Sequence, residues 1–405
     1  MLCTFSFTAR KDEIMSETNI AKAITNCQLV LERGILWDAT LLLAGDRIAG
    51  YGAARETEIP DGVEIIDAGG NYVGPGFVDI HVHGGGGFQT SQNPAEAANF
   101  FLSHGETSML CTPSGSGSKT REEIVEIIHR IRSAMKVAKN IKGIYMEGPY
   151  YNPNYGANKK LNTWGHRPVD PDDVTALVDA GGKDVKVWMV GPERMNEGLM
   201  YFLEYARKVN PDVLFTVGHS DATPDEIRAM GKYRPRIATH ITNATGMKPV
   251  YGGTRSFGPD EYALKENDVY AELICDSLAV HVSPELQRYV IKGKGVDKVI
   301  LITDSTVYNN PPPERYAGVT DINFDDWGGI AGSKLTLDKA CKNIMTHTNC
   351  GIAEAFLMAS RNPARVLGMD DEIGSIDIGK KADIIFVNDR FEVKKVILGG
   401  EVCNF

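Results

Sequence analysis

The sequence predicts an α/β fold, a (β/α)8 TIM-type barrel with a small β-sandwich built from both chain termini. Three observations carry that expectation. Eight short apolar runs recur between residues 77 and 304, each ending in a polar or metal-binding residue. Helical segments alternate with these runs. The two ends of the chain share a different texture, short β-type runs punctuated by turn residues. Parallel strands covered on both faces read as continuous apolar runs, and eight such units over about 250 residues fit this barrel, whose active sites lie at the carboxyl ends of its strands.

Taken in order, residues 28–31, 39–43, 47–51 and 63–67 are expected as strands, separated by turns such as Ala44-Gly45-Asp46 and Pro60-Asp61-Gly62. Barrel strands are expected at 77–83, 107–112, 143–147, 185–190, 214–219, 237–242, 271–276 and 299–304. Helical stretches include 95–104, 121–139, 197–208, 225–231, 284–291 and 352–360. At the C-terminus, 374–376, 383–387 and 393–398 read as strands, with Gly399-Gly400 as a hairpin turn. The resulting division is a disordered tail at 1–19, a barrel at 74–364, and a β-sandwich assembled from 20–73 and 365–405. Met15 offers an alternative start.

The 405 residues carry a formal charge of -10, which argues against a general nucleic-acid or membrane-surface role. It does not exclude an anionic small substrate, since a few local cations suffice. No apolar stretch approaches the ~20 residues of a membrane span. Residues 1–7 lack a basic region before them and make a poor signal peptide. The seven cysteines are scattered, odd in number and without CxxC spacing, as expected for reduced, mostly buried thiols in a cytoplasmic protein.

The first barrel run ends His81-Val82-His83 and is followed by four glycines. Strand residues two apart face the same way, so the two imidazoles point together, and the glycines are read as leaving room for a ligand. Such a pair suits a divalent metal. Strand three ends in Glu147, strand five in His219, strand six carries His240, and strand eight ends in Asp304. Together these supply four imidazoles and two carboxylates around one barrel mouth. A metal held by such groups acidifies water and polarises a carbonyl, while a free carboxylate beside it moves the proton. Asp304 is the natural candidate for that carboxylate.

These residues resemble the amidohydrolase superfamily and, more narrowly, the N-acetylglucosamine-6-phosphate deacetylases. The resemblance runs from the Pro75-Gly76-Phe77 stretch with its HxH pair to the terminal GSIDIGKKADIIFVN at 374–388. Between them lie Glu147-Gly148-Pro149 with Asn152-Pro153, Gly218-His219-Ser220, His240 with Asn243-Ala244, Thr303-Asp304, Ala331-Gly332-Ser333 and Asn362-Pro363-Ala364. It implies that Glu147, His219 and His240 hold the main metal, zinc or iron, and that His81 and His83 allow a second. It implies Asp304 as general base and then acid, a phosphorylated amino-sugar substrate, and a homodimer. Substrate contacts are implied for Gly148, Asn158, Asn243, Ala244, Arg255, His281, Ala331 and Gly332. This chain departs from the family pattern in places. His281 is displaced by two positions, Asn158 replaces a histidine, and Thr245 replaces a methionine.

The remaining histidines have plainer readings: His104 and His129 in helical segments, His347 after one, and His166 in a loop that could lie over the site. Gly84 to Gly87 lack the lysine of a P-loop, so room around the metals is the better explanation. Pro311 to Pro313 read as a stiff spacer. Three functions follow in order: deacetylation of an N-acetylhexosamine 6-phosphate, another amidohydrolase reaction on a cyclic amide or N-acyl compound, or a non-catalytic sugar-phosphate sensor. An intact Asp304 argues against the last.

Overall fold

The computed structural model describes residues 20–157, 159–254 and 256–405. The expected tail at 1–19, with Met15, lies outside them, as do Asn158 and Arg255.

Eight parallel strands follow one another in chain order around a single sheet: Val78–Val82, Ser108–Cys111, Ile141–Met146, Val185–Val190, Leu214–Val217, Ile237–Ala238, Tyr270–Ile274 and Val299–Ile302. These are barrel strands one to eight. The sheet closes where strand eight meets strand one, through the N–H of Asp304 on the carbonyl of His81 (2.9 Å) and the N–H of His83 on Ser305 (2.8 Å). Alternation sorts the side chains. Leu110, Tyr145, Val187, Met189, Ile237 and Tyr270 share one cluster in the interior. Their neighbours Met109, Cys111, Ile144 and Phe215 pack beneath helices, as do Ala271, Leu273 and Leu301 further round.

One helix follows each strand: Pro94–Ser103, Arg121–Ala134, Pro171–Gly181, Glu197–Val209, Pro224–Ala229, Pro259–Lys265, Pro284–Lys294 and Leu337–Thr348. Five begin at proline, whose fixed φ and missing N–H suit the first turn. The helices after strands three, six and eight were not among the stretches named from the sequence. The second helix stops at Ala134 rather than near Lys139, because Val137 and Ala138 turn back onto the Ala134 carbonyl. The segment 352–360 is helical as expected, passing from Ile352–Phe356 into a π-turn at Leu357–Arg361.

The two chain ends meet in one eight-stranded sheet. Strands Lys22–Leu31, Gly34–Ala44, Arg47–Ala53, Glu64–Asp67 and Tyr72–Pro75 join Ile384–Val387, Val393–Leu398 and Glu401–Val402. The seam is the antiparallel pairing of Tyr72–Pro75 with Ile384–Val387, in the register Tyr72↔Val387 to Pro75↔Ile384. Because Tyr72–Pro75 leads directly into barrel strand one, this sheet anchors the start of the HxH segment. Gly399 and Gly400 both take positive φ in the hairpin predicted there. Residues 374–376 do not form a strand. Gly374 has φ +89° against the side chain of Ala364, and Ser375 is tied to Asp377 and Lys380, which makes a turn.

Candidate active site

Six side chains from strands one, three, five, six and eight converge at the carboxyl end of the barrel. His219 Nε2 lies 2.9 Å from Glu147 Oε1, His240 Nε2 lies 3.1 Å from the same oxygen, and the two Nε2 atoms are 3.1 Å apart. His83 Nε2 is 3.1 Å from Glu147 Oε2 and 3.3 Å from Asp304 Oδ1. His81 Nε2 stands 3.6 Å from Glu147 Oε1 and 3.8 Å from Asp304 Oδ1. Ligand atoms of Glu147, His219 and His240 form one compact group, and those of His81, His83 and Asp304 form a second. Glu147 links the two.

Three of these residues leave the strand conformation where it ends. His219, His240 and Asp304 take φ of +46°, +29° and +44°, in the left-handed region that side chains with a Cβ avoid. Each costs about 1 kcal/mol or more, and such residues cluster at functional sites.

The outer nitrogens fix how the rings point. His219 Nδ1 faces the Tyr155 carbonyl at 3.2 Å and His240 Nδ1 faces the Asn243 carbonyl at 3.1 Å. A carbonyl only accepts, so both rings carry their proton on Nδ1 and turn a lone pair inward at Nε2. Two lone pairs 3.1 Å apart beside a carboxylate oxygen repel one another, and a shared cation resolves that. His81 Nδ1 is held by Glu272 Oε2 at 3.1 Å, and its Nε2 is buried without a partner. The donor set therefore fits a divalent metal.

Electrostatics favour the same occupant. Burial opposes ionisation of Glu147, but the His81 charge and the hydrogen bonds of His219 and His240 outweigh it and hold the carboxyl well below the usual range. Asp304 is held low against its burial chiefly by His83. Burial works against a charged His83, yet Asp304 and Glu147 raise it to about 9. Metal binding beside His83 must therefore displace a proton from that ring.

A cavity of about 630 Å³ opens over this centre. Of the residues expected to meet substrate, Asn243, Ala244, His281, Ala331 and Gly332 line it. His281 is oriented by Asp276 through Nδ1 at 3.1 Å, and its buried Nε2 has no partner. Gly332 also backs the general-base candidate, since a Cβ there would lie 2.4 Å from the Asp304 carbonyl oxygen. Gly148 does not line the cavity. It packs beneath Tyr151 and Ser116, which a Cβ would meet at 2.6 and 2.8 Å. The four glycines after His83 also differ from expectation. Gly84 and Gly85 pair with Phe88 and Gln89 in a small hairpin, and Gly85 and Gly86 press on Phe100. Gly85 and Gly86 are small because Phe100 leaves no room for a Cβ, and none of the four lines the cavity. His166 and His347 lie away from the cavity; His347 hydrogen-bonds Gln287 at 3.1 Å.

Two residues escaped the sequence reading. Glu272 on strand seven is fully buried and also accepts the His240 backbone N–H at 3.2 Å. A carboxylate inside an otherwise apolar strand was the available signal. Tyr145 stacks on His81, ring centroids 4.4 Å apart, which resembled ordinary core in the sequence.

A (β/α)8 barrel whose strand ends gather imidazoles and carboxylates in this way defines a metal-dependent hydrolase. The Amidohydrolase family model matches residues 72–403, and the chain belongs to that family. It is 28% identical over 398 residues to the N-acetylglucosamine-6-phosphate deacetylase of Haemophilus influenzae, covering 94% of this chain and 98% of that protein. The N-acetylgalactosamine-6-phosphate deacetylase of Escherichia coli O157:H7 is 27% identical, covering 93% and 98%. Among solved structures, N-acetyl-D-glucosamine-6-phosphate deacetylase from Mycobacterium smegmatis in complex with N-acetyl-D-glucosamine-6-phosphate is 25% identical, with a TM-score of 0.77 over 94% of this chain and 98% of that one. The Pasteurella multocida enzyme, 23% identical with a TM-score of 0.79 over 95% and 100%, shares the fold.

Proposed function

We propose that this protein hydrolyses the N-acetyl group of N-acetylglucosamine 6-phosphate, or of a closely related N-acetylhexosamine 6-phosphate, to acetate and the amino-sugar phosphate. The observation that carries this reading is the convergence of Glu147, His219 and His240 on one point, with Asp304 beside it.

Glu147, His219 and His240 would hold a divalent metal, zinc or iron, and His81 and His83 are placed to hold a second. When bound, that metal supplies Lewis acidity toward the acyl oxygen and lowers the pKa of water. Asp304 Oδ1 accepts the proton of the attacking water. It returns that proton to the amine nitrogen as the C–N bond breaks and the water oxygen becomes part of acetate. Against its burial, His83 keeps the Asp304 carboxyl ionised, the form that can accept a proton. Asn243, Ala244 and His281 lie along the cavity as donors and walls for the sugar and its 6-phosphate. Arg255 is assigned to the phosphate on sequence alone, since Arg suits phosphate oxygens. We further assign a homodimer, with Arg255 acting across its interface while His281 serves its own subunit's cavity, and a cytoplasmic setting in which buried thiols such as Cys275 and Cys341 stay reduced. No helix among the described residues is long and apolar enough to cross a membrane.

The test is a panel of N-acetylated hexosamines, with and without the 6-phosphate and in both C4 epimers, read by acetate release. The phosphorylated sugars are expected to be the better substrates by about a hundredfold in kcat/KM, in line with loss of a buried charged contact. Equal cleavage of the unphosphorylated sugars would overturn this reading of the pocket in favour of another N-acyl or cyclic amide. His219→Ala should lose the tighter metal together with turnover; full metal occupancy in that variant would sink the ligand assignment.

A further inference from the structure

Barrel strand four, Val185–Val190, supplies none of the six side chains at the metal centre. The turn that follows it, Pro192–Arg194, stands between the ends of strands three and five, where Glu147 and His219 lie. Glu193 in that turn gathers three donors on its carboxylate. Asn152 Nδ2 donates to Oε1 at 2.8 Å, the Asp221 N–H donates to the same oxygen at 3.2 Å, and Ser220 Oγ donates to Oε2 at 2.7 Å. Asn152 and Ser220 are buried. Gly191 makes the approach possible, because a Cβ there would lie 3.1 Å from both the Asn152 nitrogen and Glu193 Oε2.

These three partners surround His219. Ser220 and Asp221 are the next two residues of the chain. The Asn152 N–H donates to the His219 carbonyl at 3.1 Å, and the Asn152 carbonyl accepts the Tyr155 N–H at 3.3 Å. The Tyr155 carbonyl in turn faces His219 Nδ1 at 3.2 Å. Asn152 Oδ1 accepts the Asn154 N–H at 3.0 Å, which leaves Nδ2 to donate to Glu193 and, at 3.3 Å, to Asp221 Oδ1. Glu193 therefore grips both the chain that leaves His219 and the segment that fixes its ring. His219 needs such a grip, since its φ of +46° persists only where the surroundings over-determine it. The hydrogen bond at Nδ1 decides where the Nε2 lone pair points. Glu193 does not line the cavity, so it acts through His219 and not on substrate.

Arg194, the next residue, grips the strand-three loop at other points. Its guanidinium donates to the carbonyls of Tyr151, Trp164 and Arg167 at 3.3, 3.2 and 2.8 Å. All three lie on the strand-three loop, so one turn presents a bond set that reaches the flank of His219 and another that holds the loop alone.

We propose that Glu193 is a positioning residue for the metal centre, fixing the backbone turn and the ring direction of His219. The proposal rests on the assignment of His219, with Glu147 and His240, as a metal ligand.

The experiment uses the full chain loaded with Co2+, whose visible absorption follows the geometry of its ligands. It compares the parent with Glu193→Gln, Glu193→Ala and Arg194→Met. Chelator competition gives the Co2+ affinity, urea unfolding of the metal-free protein gives stability, and steady-state acetate release gives kcat and KM separately. Glutamine keeps the size of the side chain but turns an N–H donor toward a donor of Asn152, Ser220 or Asp221. Glu193→Gln should weaken Co2+ binding by about tenfold, the lower end of the range for partners behind metal-ligating histidines, and Glu193→Ala at least as much. Both should change the absorption spectrum, and kcat should fall while KM stays within about twofold. Arg194→Met should lower the urea midpoint and leave Co2+ affinity and spectrum as in the parent. Parent-like affinity and spectrum in both Glu193 variants would overturn the proposal. An equal loss of affinity in Arg194→Met would overturn it too, because the effect would then be general loosening of the strand-three loop. If Glu193→Ala does not fold, Glu193→Gln decides. A parent that releases no acetate would count against the deacetylase reading, while the Co2+ affinities and spectra still decide the role of Glu193.

Discussion

The backbone N–H of Asp304 donates to the carbonyl of His81 at 2.9 Å. Two residues at opposite ends of the barrel sequence are thus joined by the bond that closes the barrel, and their side chains reach one centre from it. Closure of the sheet and assembly of the site are one structural event. A perturbation of either strand end acts on both, which frames the outcomes expected below.

Asp304→Asn should keep metal content and KM close to those of the parent while kcat falls by about 10²–10⁴, the usual range for loss of a proton-transfer group. Elemental analysis and steady-state acetate release measure the two together. A variant retaining half of the parent kcat would show that another group moves the proton.

Glu272→Gln removes the charge that His81 Nδ1 faces and that the His240 N–H reaches, at 3.1 and 3.2 Å, while leaving an acceptor in place. Partners behind metal-ligating histidines are worth about 10–100-fold in metal affinity or activity. The expected result is a loss of that size in competition with a chelator, with an unchanged circular dichroism spectrum. Unaltered metal affinity would reduce Glu272 to a buried structural residue.

Gly156→Ala tests how closely the strand-three loop encloses the metal. A Cβ at residue 156 would fall 2.1 Å from His219 Nδ1, and the residue has φ +91°. His219 must then move, since Gly156 itself is in a conformation that alanine resists. Metal occupancy and kcat should both drop by at least about tenfold, by analogy with other losses of ligand orientation. Normal occupancy would show that the strand-three loop does not confine the His219 ring.

The carboxyl of Asp276 is held below its usual range, because hydrogen bonds from the His281 ring and from the Val280 and His281 N–H groups outweigh its burial. A depressed folded pKa contributes stability that is present above the unfolded value near 3.9 and is lost as pH falls through the folded value. Asp276→Asn should therefore cost about 2 kcal/mol in urea unfolding at pH 7, the range of hydrogen bonds to a charged group. The gap between variant and parent should narrow below about pH 4. A gap that did not change with pH would mean that the ionised form is not what holds His281.

The periodic features were legible from residues alone. Strand four appears at Val185–Val190 as read, and Val393–Leu398 likewise, because both are rich in valine, isoleucine and other apolar residues, with only Lys186 and Lys394-Lys395 interrupting them. Strands five, six and eight were read too long. The observed strands stop at Val217, Ala238 and Ile302, and two residues beyond each end His219, His240 and Asp304 bend into positive φ, which a reading of alternation extends as strand. The strand expected at 374–376 failed for a related reason, since side-chain hydrogen bonds at Ser375 compete with a ladder.

The sequence by itself determined the barrel, the pairing of its two ends and the six side chains at the strand ends, because each of these leaves a local mark: an apolar run, a turn, or a polar residue where the run stops. Tertiary structure alone decided the rest. It set Glu272 behind His81 and His240, turned Gly85 and Gly86 onto Phe100, moved Gly148 beneath Tyr151, and buried the Asn162 amide nitrogen without a partner. Those relationships join strands and loops far apart in the chain. They depend on distance and direction across a closed sheet, and no local pattern of residues encodes either.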